Sequence, residues 1–228
     1  NPGVDRFIQE EIPYLRQFDT KIIANVSGHS VEEYVGIVEK ISDADIDLIE
    51  MNISCPNVKC GGLTFGTQPK MVEEVVSAAK AVAKKPLIVK LTPNVTDIAE
   101  IARAAVSAGA DALSLINTLL GMRIDVESRR PILSNIMGGL SGPAVFPVAV
   151  RMVYQVRQAV DVPIIGMGGI RTGRDIVEMM LAGANAVAIG TACFADPMAP
   201  IKALHELDEF CDSHGVKSVT ELTGAVRL

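Results

Sequence analysis

Leu48-Ile49-Glu50-Met51-Asn52-Ile53-Ser54-Cys55-Pro56-Asn57 is the stretch from which the fold can be read. Leu48 to Ile53 form a short, largely apolar strand, and Pro56 stops it, because proline cannot donate a ladder hydrogen bond and disfavours helical geometry at Cys55. The chain must leave the sheet here, with a thiol and two amides, Asn52 and Asn57, near the strand's carboxyl end. In parallel α/β proteins that end is where ligands bind.

Working outward, short β-branched runs alternate with amphipathic helical segments, the pattern of a parallel sheet joined by crossover helices. The expected strands are Lys21 to Val26, Leu48 to Ile53, Leu87 to Leu91, Ala112 to Ile116, Pro163 to Met167 and Ala186 to Ile189. One helix is expected to open at Ser30, where Ser30-Val31-Glu32-Glu33 fits a capping box, and another near Thr96-Asp97. An internal repeat supports one repeated unit: Ser107-Ala108-Gly109-Ala110-Asp111-Ala112-Leu113 resembles Leu181-Ala182-Gly183-Ala184-Asn185-Ala186-Val187. In each, the glycine sits where a helix would end in a left-handed residue before the next strand.

A closed (β/α)8 barrel needs eight strands and about 250 residues. Six strands in 228 residues therefore predict a single domain over residues 1–228, a barrel lacking its first two strands, with a six-stranded open sheet as the alternative. Two long excursions, Ser54 to Pro69 and Asn117 to Ala144, follow strand ends, where site loops belong.

Hydrophobic residues make up 49% of the chain, enough for a sizeable core. A net charge of −6 and no basic run argue against a nucleic-acid partner held by general electrostatics. Four cysteines with no CxxC pair, no signal peptide and no bilayer-length apolar run predict a reduced, cytoplasmic protein without a membrane anchor.

The groups that carry chemistry lie at the strand ends. Gly166-Met167-Gly168-Gly169 and Ile189-Gly190-Thr191 leave backbone amides unshielded, and in many barrels the loops after the last two strands hold a phosphate. Tight turning alone is the other reading of each. Neither turn completes a G-x-G-x-x-G fingerprint with its acidic residue, so no nicotinamide site is expected in this chain. Gly138-Gly139-Leu140-Ser141-Gly142 adds a third glycine-rich loop, which either approaches a ligand or makes a flexible excursion. Lys90 ends an apolar strand and needs a partner, which a cofactor would supply; its stem could instead extend to water. Asn52, Asn57, Asn94 and Asn117 gather at strand ends, where each alone reads as a turn residue. Cys55 could be a nucleophile, a general base, a metal ligand or an inert thiol. His29, His205 and His214 offer no clear catalytic partner, and Cys60, Cys193 and Cys211 give no standard metal-ligand spacing, so no metal is expected.

Asn52-Ile53-Ser54-Cys55-Pro56-Asn57-Val58-Lys59, followed by Lys90-Leu91-Thr92-Pro93-Asn94, resembles dihydroorotate dehydrogenase, specifically the catalytic subunit of the NAD-linked (class 1B) subclass. Asn117-Thr118, Gly138 to Gly142, Ile165 to Ile170 and Gly190-Thr191 resemble that family's motifs in order, and the likeness covers essentially the whole chain. The resemblance implies an FMN-containing (β/α)8 TIM barrel that oxidises dihydroorotate to orotate in pyrimidine biosynthesis. Cys55 would be the base that removes the C5 proton, while a hydride passes from C6 to the flavin. Asn52, Asn57, Asn117 and Thr118 would bind substrate. Asn25, Asn52, Lys90, Ile116, Gly142, Gly168, Gly169, Gly190 and Thr191 would contact FMN, the last four of them around its phosphate. The subclass passes electrons to a second subunit carrying FAD and an iron–sulfur cluster, which reduces NAD, and the expected assembly is a dimer of catalytic subunits within a heterotetramer.

The fumarate-linked subclass shares the cysteine, so it stays open as the alternative, as does another FMN-barrel pyrimidine oxidoreductase. A non-catalytic binding subunit or fragment is the reading from a different class. The family's first two strands, a lysine near the flavin and a substrate-binding loop lie ahead of the position of Asn1, so a chain starting there is expected to hold FMN weakly.

Overall fold

The computed structural model describes residues 3–54 and 65–227. They fall into two compact units, the first Asn1–Leu91 with Ala99–Ser114 and the second Thr92–Ile98 with Leu115–Leu228.

The first unit opens with α1 (Val4–Arg6), a π-helical turn (Phe7–Glu11) and α2 (Ile12–Leu15). It continues with β1 (Ile23–Val26), α3 (Val31–Ser42), β2 (Leu48–Asn52), α4 (Pro69–Val82), β3 (Leu87–Lys90), α5 (Ile98–Ser107) and β4 (Ala112–Leu115). The strands pair in parallel in sequence order, β1 with β2, β2 with β3 and β3 with β4. Buried parallel strands read as nearly continuous apolar runs, and Ile49, Met51, Leu87, Val89 and Leu113 are fully buried here. In α4, Val72, Val75, Val76 and Ala79 follow helical spacing and form the buried stripe. The cap at Ser30 differs slightly from the expected box. Ser30 Oγ accepts from Glu33 N at 3.2 Å, but the Glu33 carboxylate reaches back to His29 N rather than to Ser30.

The second unit holds two antiparallel pairs, β5 (Leu119–Met122) with β8 (Met137–Leu140) and β6 (Ile124–Asp125) with β7 (Arg130–Pro131). Then follow α6 (Phe146–Arg157), β9 (Ile164–Met167), α7 (Gly173–Leu181), β10 (Ala186–Ala188), α8 (Ala192–Ala195) and α9 (Ala199–His214). β9 and β10 are parallel. A full capping box opens α7, with Thr172 and Asp175 each accepting from the other's backbone. Gly173 is required by packing: a Cβ there would lie 2.5 Å from Leu207 N, in the backbone of α9.

The internal repeat has a physical basis. Gly109 and Gly183 both have positive φ, at 102° and 126°, turning the chain out of α5 and α7. Two residues later, Asp111 Oδ2 accepts from Leu87 N at 2.7 Å and Asn185 Oδ1 accepts from Ile164 N at 2.9 Å. Each side chain thereby satisfies the first amide of the preceding strand. A third copy that the sequence comparison missed is Asp47, which accepts from Ile22 N at 2.9 Å. β1 runs from Ile23 rather than from Lys21, and Ile22 just before it is tied on both sides, its amide to Asp47 and its carbonyl to Asp47 N and Leu48 N. The other strands match their expected spans to within one residue at either end.

Asp47 also pairs with Arg16 at 3.0 Å and Lys21 at 3.2 Å. The hydrogen bond from the Ile22 amide, helped by these cations, lowers its carboxyl to about 2, against desolvation that acts the other way. A depressed folded-state value contributes stability that is present above the unfolded carboxyl range near 4 and lost as pH falls towards about 2. Asp47→Asn should therefore melt below the parent at neutral pH, and the gap should close between about pH 4 and pH 2. A gap that persists unchanged to acid pH in melting curves would contradict this.

Candidate functional site

In the first unit, the register sets a polar row across four strands. Asn25 pairs with Glu50, Asn52 with Lys90, and Lys90 with Ser114. Side chains alternate along a strand and directly paired residues share a face. Asn25, Glu50, Asn52, Lys90 and Ser114 therefore lie on one face near the carboxyl ends of their strands.

Glu50 sits at the centre of this row and is buried. Its Oε2 accepts from Asn25 Nδ2 at 2.5 Å, its Oε1 accepts from Ser114 Oγ at 2.6 Å, and Lys90 Nζ stands 3.6 Å from Oε2. The charge on Lys90, expected to call for a cofactor, is met first by a carboxylate of its own sheet. Sequence reasoning missed both Glu50 and Ser114. The available signal was Glu50 itself, an acid in an apolar run, two residues from Asn52 and so on the same face.

The end of β2 is firmly held. Tyr34 Oη donates to Asn52 O at 2.7 Å, Asn52 Oδ1 accepts from Ser54 N at 3.2 Å, and Ser54 Oγ donates to Lys90 O at 3.0 Å. Gly66 N donates to Ile53 O at 3.0 Å, and Phe65 meets the Tyr34 ring edge-on at 5.7 Å. Ser54 and Gly66, on either side of residues 55–64, are thus both anchored at this strand end. Cys55 and Asn57, and Cys60 with them, lie outside the described residues.

In the second unit, the glycine turns converge. A Cβ on Gly168, where φ is 123°, would lie 3.1 Å from Ile116 Cγ1 and 3.0 Å from Ala149 Cβ. One on Gly169, where φ is 81°, would lie 2.7 Å from Gly142 O, and one on Gly142 would lie 4.0 Å from Thr191 Oγ1. Ile116, Gly142, Gly168, Gly169 and Thr191 are therefore neighbours. Gly190 faces open space, with no atom within 4 Å of its Cβ position. Ile116 N donates to Met167 O at 3.0 Å, which places the residue after β4 beside the end of β9.

Asn117 and Thr118 follow directly, with Asn117 Oδ1 accepting from Thr118 N at 2.8 Å. Asn94 has a structural task. Its amide donates to Thr118 O at 3.0 Å and accepts from Leu120 N at 2.9 Å, fixing the chain where it enters β5. Among the described residues, no cluster of three or more His, Cys, Asp or Glu could hold a metal ion. No helix there is long and apolar enough to cross a membrane.

The family profile of dihydroorotate dehydrogenase matches residues 1–211. The chain is 61% identical over 226 residues to the dihydroorotate dehydrogenase B (NAD(+)) catalytic subunit of Alkaliphilus metalliredigens, covering 99% of this chain and 75% of that one. It is 62% identical over 224 residues to the protein of the same name in Alkaliphilus oremlandii, covering 98% and 74%. Among solved structures, DHODH of Eimeria tenella in complex with ferulenol superposes with a TM-score of 0.80 at 23% identity, covering 98% of this chain and 68% of that one, a likeness of fold. Parallel strands alternating with helices are thus the α/β architecture of the (β/α) barrel. With these matches over nearly its whole length, the chain belongs to the dihydroorotate dehydrogenase family.

Proposed function

We propose that this chain is a catalytic subunit that oxidises dihydroorotate to orotate in pyrimidine biosynthesis, with FMN as its cofactor and NAD as the final acceptor. The observation that carries this reading is 61% identity over 226 residues to a protein bearing that subunit's name. The residues present suit FMN. Gly168 and Gly169 form a turn at positive φ, and Gly190 leaves unfilled space of the kind a phosphate can enter. Lys90 brings a positive charge.

Asn25, Asn52, Lys90, Ile116, Gly142, Gly168, Gly169, Gly190 and Thr191 are the contacts assigned to FMN. When bound, FMN supplies the acceptor for the hydride that leaves C6 of the substrate. Cys55, as thiolate, takes the proton from C5. Loss of that proton and of the C6 hydride leaves the C5–C6 double bond of orotate, so the reaction balances. Asn52, Asn57, Asn117 and Thr118 orient the polar edge of the substrate. A thiolate can act as base near neutral pH because free thiols titrate near about 8.5.

A partner subunit carrying FAD and an iron–sulfur cluster would take the electrons on to NAD, in a heterotetramer built on a dimer of catalytic subunits located in the cytoplasm. The partner is supported by the relatives' naming as a catalytic subunit. The test is anaerobic addition of dihydroorotate to the flavin-loaded protein, with bleaching of the flavin absorbance expected. A purified full-length protein without flavin, or a flavin that dihydroorotate fails to bleach, overturns the reading, and efficient direct reaction with fumarate overturns the NAD-linked part of it.

A further inference from the structure

We infer that Glu50 is a positioning residue for the flavin: it fixes which end of the Asn25 amide is presented and sets how much of the Lys90 charge the flavin feels. The inference rests on the reading of Lys90 and Asn25 as FMN contacts.

Packing alone would place an apolar residue at this point of a buried strand. A carboxylate there loses its hydration, a cost that pairing seldom recovers in stability. Glu50 nevertheless sits buried among three polar groups from three strands. An ionised carboxylate accepts hydrogen bonds and donates none. Asn25, which is exposed, must therefore turn its Nδ2 towards Glu50, as observed at 2.5 Å, and keep its Oδ1 for a donor elsewhere. Ser114, fully buried, uses its one hydroxyl proton to pin the other carboxylate oxygen at 2.6 Å.

The Lys90 pair has a different character. At 3.6 Å, Nζ and Oε2 attract each other but do not share a hydrogen bond. Glu50 thus offsets part of the ammonium charge and leaves its protons for another acceptor. Taking up two electrons and one proton gives oxidised flavin one additional negative charge. The net charge beside it therefore sets its midpoint potential.

The test is a pair of variants in the FMN-loaded protein, read by dye-equilibrated reductive titration and by FMN affinity. Glu50→Gln removes the negative charge at constant size. Lys90 is then uncompensated, and reduced FMN should gain over oxidised FMN by about tenfold, equal to roughly 30 mV upward for a two-electron couple. The substituted amide puts an NH2 donor in place of one acceptor oxygen, so Asn25 is free to turn its oxygen towards residue 50 and its NH2 towards the flavin, and oxidised FMN should also bind about tenfold more weakly. Ser114→Ala keeps the charge but frees Oε1, which strengthens the carboxylate's field on Lys90, so its potential should move down.

Shifts of opposite sign are a signature that a merely structural role would not give. An unchanged or lowered potential in Glu50→Gln overturns the inference. If that variant fails to hold flavin, Ser114→Ala decides alone, and an unchanged potential there overturns it. A parent protein that binds no FMN would instead overturn the cofactor assignment.

Discussion

Cys55→Ala should abolish rapid reduction of the bound flavin by dihydroorotate and leave FMN bound. The expected loss is about 10²–10⁴-fold in the reduction rate, the range supplied by a positioned general base. FMN should stay because none of the contacts assigned to it is Cys55. The affinity of the variant for orotate should also change little, since the amides rather than the thiol are assigned to hold the ring. The parent rate should rise with pH as more of the base is in its thiolate form, and this limb should vanish in the variant. Anaerobic stopped-flow mixing reads both effects. Reduction kinetics unchanged by the substitution would remove Cys55 from the mechanism, whatever the fate of the cofactor assignment.

Cys55 could be singled out because Pro56 ends a strand whose apolar run is unmistakable, and a strand end is a place in the fold as well as in the sequence. The same holds for the other parallel strands, whose buried runs made their positions legible to within a residue or two. Asn117 to Ala144 were legible as an excursion with candidate site residues, but not as strands. Their strands are short and largely exposed, and β8 is Met137-Gly138-Gly139-Leu140, with neither alternation nor β-branched residues to mark it. Partnership between strands was less legible still. Lys90 was conspicuous as a charge in an apolar strand, but that its partner is Glu50 follows from the register of β2 on β3, which places Asn52 opposite Lys90 and Glu50 one step behind. Asn94 fits the turn-residue reading of its position, since it ties down the next segment, although an amide at a strand end reads the same where it meets a ligand.

Gly169→Ala and Gly190→Ala should separate the two tasks a glycine turn performs. At Gly169 a methyl group meets backbone, 2.7 Å from Gly142 O and 3.0 Å from Phe146 N. Gly142 O cannot retreat freely, because it accepts from Val145 N at 3.1 Å in the turn that leads into α6. Adding the penalty of a positive φ of 81°, the substitution should cost on the order of 1–3 kcal/mol of local strain. The apo-protein should melt lower, and FMN should bind about 10- to 100-fold more weakly, since each 1.4 kcal/mol is tenfold. At Gly190 a methyl group meets nothing within 4 Å. Gly190→Ala should leave the apo melting temperature where it was, yet still weaken FMN, because the space it fills is the space assigned to the phosphate. Fluorescence quenching of FMN on titration with apo-protein, beside thermal melts, distinguishes these outcomes. Unimpaired FMN binding in Gly190→Ala would remove that turn from the phosphate site, and a Gly169→Ala protein as stable as the parent would show that the Gly142 and Phe146 backbone yields where packing and φ require it to hold.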